Sequence, residues 1–236
     1  MPRGSFAPRR YPSPAVIEAV LFDWTNTLVE FTWDDELLVA GHRAGLGRDD
    51  PEFTERYREL MLGAVPQRPY VDVLRELGVT DPEAFIDAEH EVWRPAQAVL
   101  GSAQAMLGSL RARGLKTGLV ANSWPEPARL LRADVEAFGL APLLDVVVCS
   151  EEAGAAKPEP EIFLRALAEL GVEPTAAMFV GDRLEVDVQG AANLGMTTVQ
   201  ALWFRADDST ASIEPDFQAF TPMDVLNAAR RVALSG

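Results

Sequence analysis

The chain has 236 residues, 48% hydrophobic and 24% charged, which supplies apolar material for a full core and excludes a disordered chain. Acidic residues outnumber basic ones by 36 to 21, a formal net charge of −15. A field of that sign repels nucleic acid and anionic membrane surfaces, and favours small ligands held by a local positive site or a metal ion. The single cysteine, Cys149, excludes an intramolecular disulfide framework, and the apolar run before it marks a buried strand residue. No apolar run approaches the roughly 20 residues of a membrane span. Residues 1–14 are rich in Pro and Arg, have no signal-type hydrophobic stretch, and read as a loose tail. A cytoplasmic protein, monomeric or homodimeric, is the expectation.

Taken in chain order, residues 17–22 form an apolar run closed by Asp23, the pattern of a buried parallel strand. Residues 31–96 then offer helix starts and no convincing strand. Thr32-x-x-Asp35, Asp50-Pro51-Glu52 and Asp81-Pro82-Glu83 each pair a capping side chain with an acid or proline, and Gly78 marks a helix stop. Further apolar runs follow at 115–120, 146–149, 176–180 and 197–202. Between them lie helix-period segments such as Ile162, Phe163, Ala166, Leu167 and Leu170. Strands alternating with helices predict an α/β fold: a Rossmann-like, doubly wound parallel sheet over residues 15–30 and 97–236, with an all-helical insertion over 31–96.

In such a sheet, ligands bind outside the carboxyl ends of the strands. Asp23-Trp24-Thr25-Asn26-Thr27 follows the first strand and Ala121-Asn122-Ser123 the second. Lys157-Pro158 lies in a loop after the third, and Gly181-Asp182 through Asp187 follows the fourth. Carboxylates gathered there repel one another unless a cation joins them. Oxygen ligands suit Mg²⁺, which keeps waters that a substrate phosphate can replace. Lys157 would keep Asp23 ionised and attract an anionic substrate. An ionised carboxylate beside a phosphoryl group is a competent nucleophile.

These motifs resemble the haloacid dehalogenase-like hydrolase superfamily, which is mostly phosphatases. Asp-x-Asp-x-Thr is matched by Asp23, Thr25 and Thr27, and Lys-Pro-x-Pro-x-x-Phe by the stretch from Lys157 to Phe163. Gly-Asp with a later Asp, Gly-Ala and Gly-Met is matched by Gly181-Asp182, Asp187, Gly190-Ala191 and Gly195-Met196. The resemblance implies Asp23 and Lys157 as catalytic residues. It implies Mg²⁺ held by Asp23, the Thr25 backbone carbonyl, Asp182 and Asp187. It places Thr25, Asn26, Asn122 and Ser123 against a small phosphorylated metabolite, and makes the insertion a cap domain over the site.

Three positions depart from the family pattern. Thr25 replaces the aspartate that protonates the leaving alcohol and later activates water, and a hydroxyl cannot do this near neutral pH. Ala121 replaces a Ser or Thr that binds phosphate. Asn26 replaces a glycine, and Asn tolerates positive φ, so it reads as a backbone-shaping residue. Ser123-Trp124-Pro125-Glu126 also reads as a capping box opening the next helix. Trp24, Trp33, Trp93 and Trp124 fit either a substrate pocket or packing, and His42 and His90 read as solvated. The leading expectation is a phosphoric monoester hydrolase working through an aspartyl phosphate. The alternatives are a catalytically impaired binding or regulatory protein, and a phosphonate or haloacid hydrolase.

Overall fold

The structure is a computed structural model that describes residues 16–32, 34–62, 69–123, 127–204 and 213–234. The expected tail at 1–14 lies outside these residues. The first strand, β1 (Ala19–Phe22), is buried at every position and leads into a two-stranded antiparallel ribbon, β2 (Val29–Phe31) with β3 (Gln97–Val99). The ribbon joins the sheet to the insertion. Its three-residue strands are too short to carry a readable alternation.

Among the described residues between β2 and β3 lie four α-helices: α1 (Asp35–Leu46), α2 (Pro51–Leu62), α3 (Tyr70–Glu76) and α4 (Pro82–Trp93). Among the described residues, no strand interrupts them. Asp50 and Asp81 cap as expected: their carboxylates accept from Phe53 N at 3.1 Å and from Ala84 N at 3.2 Å. The first start is displaced. Asp34, not Thr32, is the cap of α1 and accepts from Leu37 N at 2.7 Å, because it stands three residues before that amide. Gly78 sits at φ 91° just beyond α3.

The insertion has its own core, built on Leu38, Phe53, Tyr57, Leu74, Phe85, Ile86 and Trp93. His42 and His90, read as solvated, are instead buried at 1% exposure. His42 Nδ1 lies 2.9 Å from Thr54 Oγ1, and its ring meets Phe53 and Tyr57 edge-on. His90 Nε2 lies 3.1 Å from Asp134 Oδ1. Helix packing, which residue type does not reveal, turned both rings inward.

The remaining chain builds the sheet. In order come α5 (Ala103–Ala112), β4 (Lys116–Ala121), α6 (Ala128–Ala137), β5 (Val146–Cys149), α7 (Ser150–Ala153) and α8 (Pro160–Leu170). Then follow β6 (Ala177–Gly181), α9 (Gln189–Asn193), β7 (Thr197–Ala201), β8 (Phe217–Ala219) and α10 (Pro222–Leu234). The strand order is β5-β4-β1-β6-β7-β8, with every neighbouring pair parallel. The short edge strand β8 was not expected.

Side chains alternate across the sheet. Val20, Phe22, Leu119 and Val180 face a core with α5, α6 and α10, while Ala19, Leu21, Val120 and Phe179 face one with α8 and α9. Both faces are therefore covered, as near-continuous apolar strands require. Cys149 is fully buried at the end of β5, as read. No helix among the described residues is long and apolar enough to cross a membrane.

Candidate active site

With all six strands parallel, their carboxyl ends lie along one edge, and β1, β4 and β6 are adjacent at its centre. That adjacency brings Asp23, Asn122 and Asp182 together from segments far apart in the chain. Asp23 directly follows β1, and its amide donates to Val180 O of β6 at 2.9 Å. The chain then turns sharply: Leu28 N and Val29 N both donate to Trp24 O at 3.0 Å, and Asn26 N donates to Val29 O at 2.6 Å. Asn26 adopts φ 58°, the left-handed conformation for which its short polar side chain is suited, so it shapes the loop as read. Thr27 Oγ1 donates to Asp23 Oδ2 at 3.4 Å, and Trp203 Nε1 donates to Thr27 O at 3.0 Å. Thr25 is exposed in this turn.

Lys157 is 4% exposed, and its ammonium bridges two carboxylates, Asp23 Oδ1 and Asp187 Oδ1, the latter at 2.8 Å. It also lies 5.4 Å from the centre of the Phe179 ring. Asp187 is turned onto its own loop by the Arg183 amide, which donates to Oδ2 at 3.0 Å, within the turn opening the π-helical segment Leu184–Val188. Gly181 makes this possible. A Cβ there would meet the Cβ and Cγ of Asp187 at 2.5 Å, so only glycine lets the carboxylate pack over the strand end.

Carboxylate oxygens of Asp23, Asp182 and Asp187 all lie within 4.8 Å of one another. One ammonium cannot neutralise three such acids. Burial pushes the Asp23 carboxyl above its ordinary value; Lys157 opposes this, and the charge of Asp187 adds to it. Burial also opposes charge on Lys157, but Asp187 and Asp23 outweigh it and hold the ammonium above the usual lysine value. The uncompensated negative charge and the all-oxygen donor set fit a hard divalent cation such as Mg²⁺.

Asn122 and Ser123 are tied to protein groups. Asn122 Nδ2 donates to Lys157 O at 3.0 Å, and Lys157 N donates to Asn122 Oδ1 at 2.8 Å. Ser123 N donates to Ser150 Oγ at 3.0 Å, at the start of α7. Sequence reasoning missed Ser150, although it immediately follows β5 and so stands at a strand end like the rest.

Ser123 does not cap α6 as read. That helix begins at Ala128 with Pro127 in the cap position, and Glu151 Oε2 accepts from Ala128 N at 2.6 Å. The rest of the expected box, Trp124 to Glu126, lies outside the described residues, as does Trp33. Trp24 and Trp93 are packing residues: Trp24 stacks on Phe138, and Trp93 Nε1 donates to Leu37 O at 3.1 Å inside the insertion.

A buried aspartate at the end of a central strand is thus bridged by a lysine and flanked by two further acids. The family model of the haloacid dehalogenase-like hydrolases matches residues 17–195, and the chain belongs to that family. It is an enzyme of the hydrolase class, akin to phosphatases.

A glyceraldehyde 3-phosphate phosphatase of Methanopyrus kandleri is 33% identical, over 92% of this chain and 99% of that one. An N-acetylmuramic acid 6-phosphate phosphatase of Pseudomonas aeruginosa is 26% identical, over 91% and 96%. Among solved structures, a HAD phosphatase from Thermococcus onnurineus superposes with a TM-score of 0.67 at 28% identity, covering 90% of this chain and 97% of that one.

Proposed function

We propose that this protein is a Mg²⁺-dependent phosphoric monoester hydrolase acting on a small phosphorylated metabolite through an aspartyl phosphate on Asp23. The observation that carries the reading is the Lys157 bridge between Asp23 and Asp187 beside Asp182. The names of the relatives support the substrate class, since both act on phosphate esters of small metabolites. A cytoplasmic location goes with this reading.

Asp23, Asp182 and the Thr25 backbone carbonyl would hold the cation, with Asp187 closing the set while it anchors Lys157. Bound there, Mg²⁺ would supply charge neutralisation for the phosphoryl group. The protein's own groups do the rest. Asp23 Oδ attacks phosphorus, the bond to the leaving oxygen breaks, and water later releases the phosphate. Lys157 keeps the nucleophile ionised and attracts the anionic substrate. The helical unit over 31–96 acts as a cap, joined to the sheet domain by the β2–β3 ribbon.

Thr25 offers no acid or base near neutral pH, so the leaving oxygen and the attacking water are served by solvent alone. Turnover is correspondingly slow. A screen of phosphorylated metabolites with Mg²⁺ tests the proposal. Phosphate release should appear for at least one of them, vanish in Asp23→Asn, and vanish in wild type on chelation with EDTA. Release that survives Asp23→Asn would overturn it. Fluoride or chloride release from haloacids should be absent.

A further inference from the structure

Asn122 was expected to touch substrate, yet both ends of its side-chain amide are engaged by one other residue. Oδ1 accepts from Lys157 N at 2.8 Å, and Nδ2 donates to Lys157 O at 3.0 Å. Two bonds of opposite sense fix both the position and the orientation of the backbone at residue 157. We propose that Asn122 is a positioning residue for Lys157, and that its amide sets the lysine backbone so that the ammonium spans Asp23 and Asp187. The catalytic part of this proposal rests on the phosphatase reading.

The need for such a clamp follows from the fold. Asn122 immediately follows β4, whereas Lys157 lies in the loop between α7 and α8, outside every strand. No sheet ladder locates that loop. A lysine side chain has four rotatable bonds and loses much freedom when held at one point. A buried ammonium is tolerated only where its partners lie in good geometry. The backbone must therefore be fixed before the side chain can bridge two acids.

Asparagine suits the task. Its short side chain offers a donor and an acceptor together, whereas aspartate lacks the donor, and serine lacks the reach to span both groups. The neighbouring Ser123–Ser150 bond ties the same strand end to the start of α7, the helix that leads into the loop.

The test combines kinetics with amide hydrogen exchange on the full chain. With the best phosphate ester from the screen, Asn122→Ala should lower kcat on the order of 100-fold, the size of effect expected when a reacting group shifts by about an ångström. KM should move by less than about threefold, since no substrate contact is lost. In a Lys157→Ala background, adding Asn122→Ala should cost nothing further, because the two residues act as one unit. The Lys157 amide, slow to exchange in wild type, should exchange faster in Asn122→Ala.

Asn122→Asp keeps volume and acceptor but drops the donor, and guards against a folding defect in Asn122→Ala. It should also lose kcat while the melting temperature holds. A rise in KM with kcat retained, full kcat in Asn122→Asp, or an equal loss with and without Lys157 would each overturn the assignment. If wild type turns over no phosphate ester, the phosphatase reading fails. The exchange experiment then judges the clamp alone: an amide equally fast in wild type and Asn122→Ala rejects it, and a protected amide released by the substitution supports it.

Discussion

Thr25 and Asp23 are two residues apart, yet they set opposite expectations for rate. Asp23 has a partner, a buried position and charged neighbours suited to nucleophilic attack. Thr25 has only an exposed hydroxyl. General acid–base groups contribute on the order of 10²–10⁴-fold in rate, so Thr25→Asp should raise kcat for alkyl phosphates by at least about 100-fold. Steady-state phosphate release measures this; an unchanged or lower kcat would mean that protons are handled elsewhere. Gly181 gives a second residue-level expectation. Gly181→Ala forces Asp187 away from the strand end and so loosens Lys157, and kcat should fall without loss of secondary structure by circular dichroism.

The grouping of the candidate residues was legible in the sequence at this scale. Asp23, Lys157, Asp182 and Asp187 each lie at, or in the loop beyond, a strand end that an apolar run announced. The role of Asn122 was not legible. Residue type gave a polar group at a strand end, but its partner is a backbone 35 residues away that only the fold brings near.

At the scale of elements, the five apolar runs became strands within two residues of their expected bounds, because buried parallel strands are nearly pure runs of apolar residues. β2, β3 and β8 escaped notice, being three-residue edges and ribbons whose pairing is decided by neighbours. Ring burial in the helical unit was also hidden. His42 sits among Phe53, Tyr57 and Phe85, near Thr54 and 3.7 Å from Glu89.

Burial, with help from the charge of Arg58, lowers the His42 pKa to about 4, against 6.5 for a free histidine. The folded unit therefore binds the proton more weakly than the unfolded chain does. Its contribution to stability is intact above pH 6.5 and is lost as pH falls from there towards 4, at up to about 1.4 kcal/mol per unit. Urea melts across that range should show the slope in wild type and a flatter one in His42→Gln. Equal slopes would show that His42 does not titrate between the two states.

At the scale of the whole molecule, the helical unit is joined to the sheet domain by more than the β2–β3 ribbon. Asp134 on α6, 1% exposed, accepts from His90 of α4 at 3.1 Å, Arg94 at 3.0 Å and Gln97 at 3.0 Å. Leu130 of the same helix enters the core of the insertion, and Arg129 pairs with Glu83 and Asp87 of α4. One face of α6 thus grips α4.

Burial raises the Asp134 carboxyl, but bonds from His90, Gln97 and Arg94 outweigh it and hold it below its ordinary value. Its contribution is present above about pH 4 and fades as pH falls further. Asp134→Ala strands three buried or half-buried donors and should cost about 3 kcal/mol in urea unfolding. A loss within experimental error would mean that the two units are held by the ribbon and apolar contacts alone.

Phosphatase activity of the proposed kind requires Asp23 to accept a phosphoryl group in the presence of a divalent cation. Fluorine NMR of the protein with Mg²⁺ and beryllium fluoride, which mimics a phosphoryl group on a carboxylate, tests that step without a known substrate. Bound fluoride resonances should appear with wild type, disappear on removal of Mg²⁺, and be absent in Asp23→Asn. A folded wild-type protein that forms no adduct, or an adduct that persists in Asp23→Asn, would contradict it.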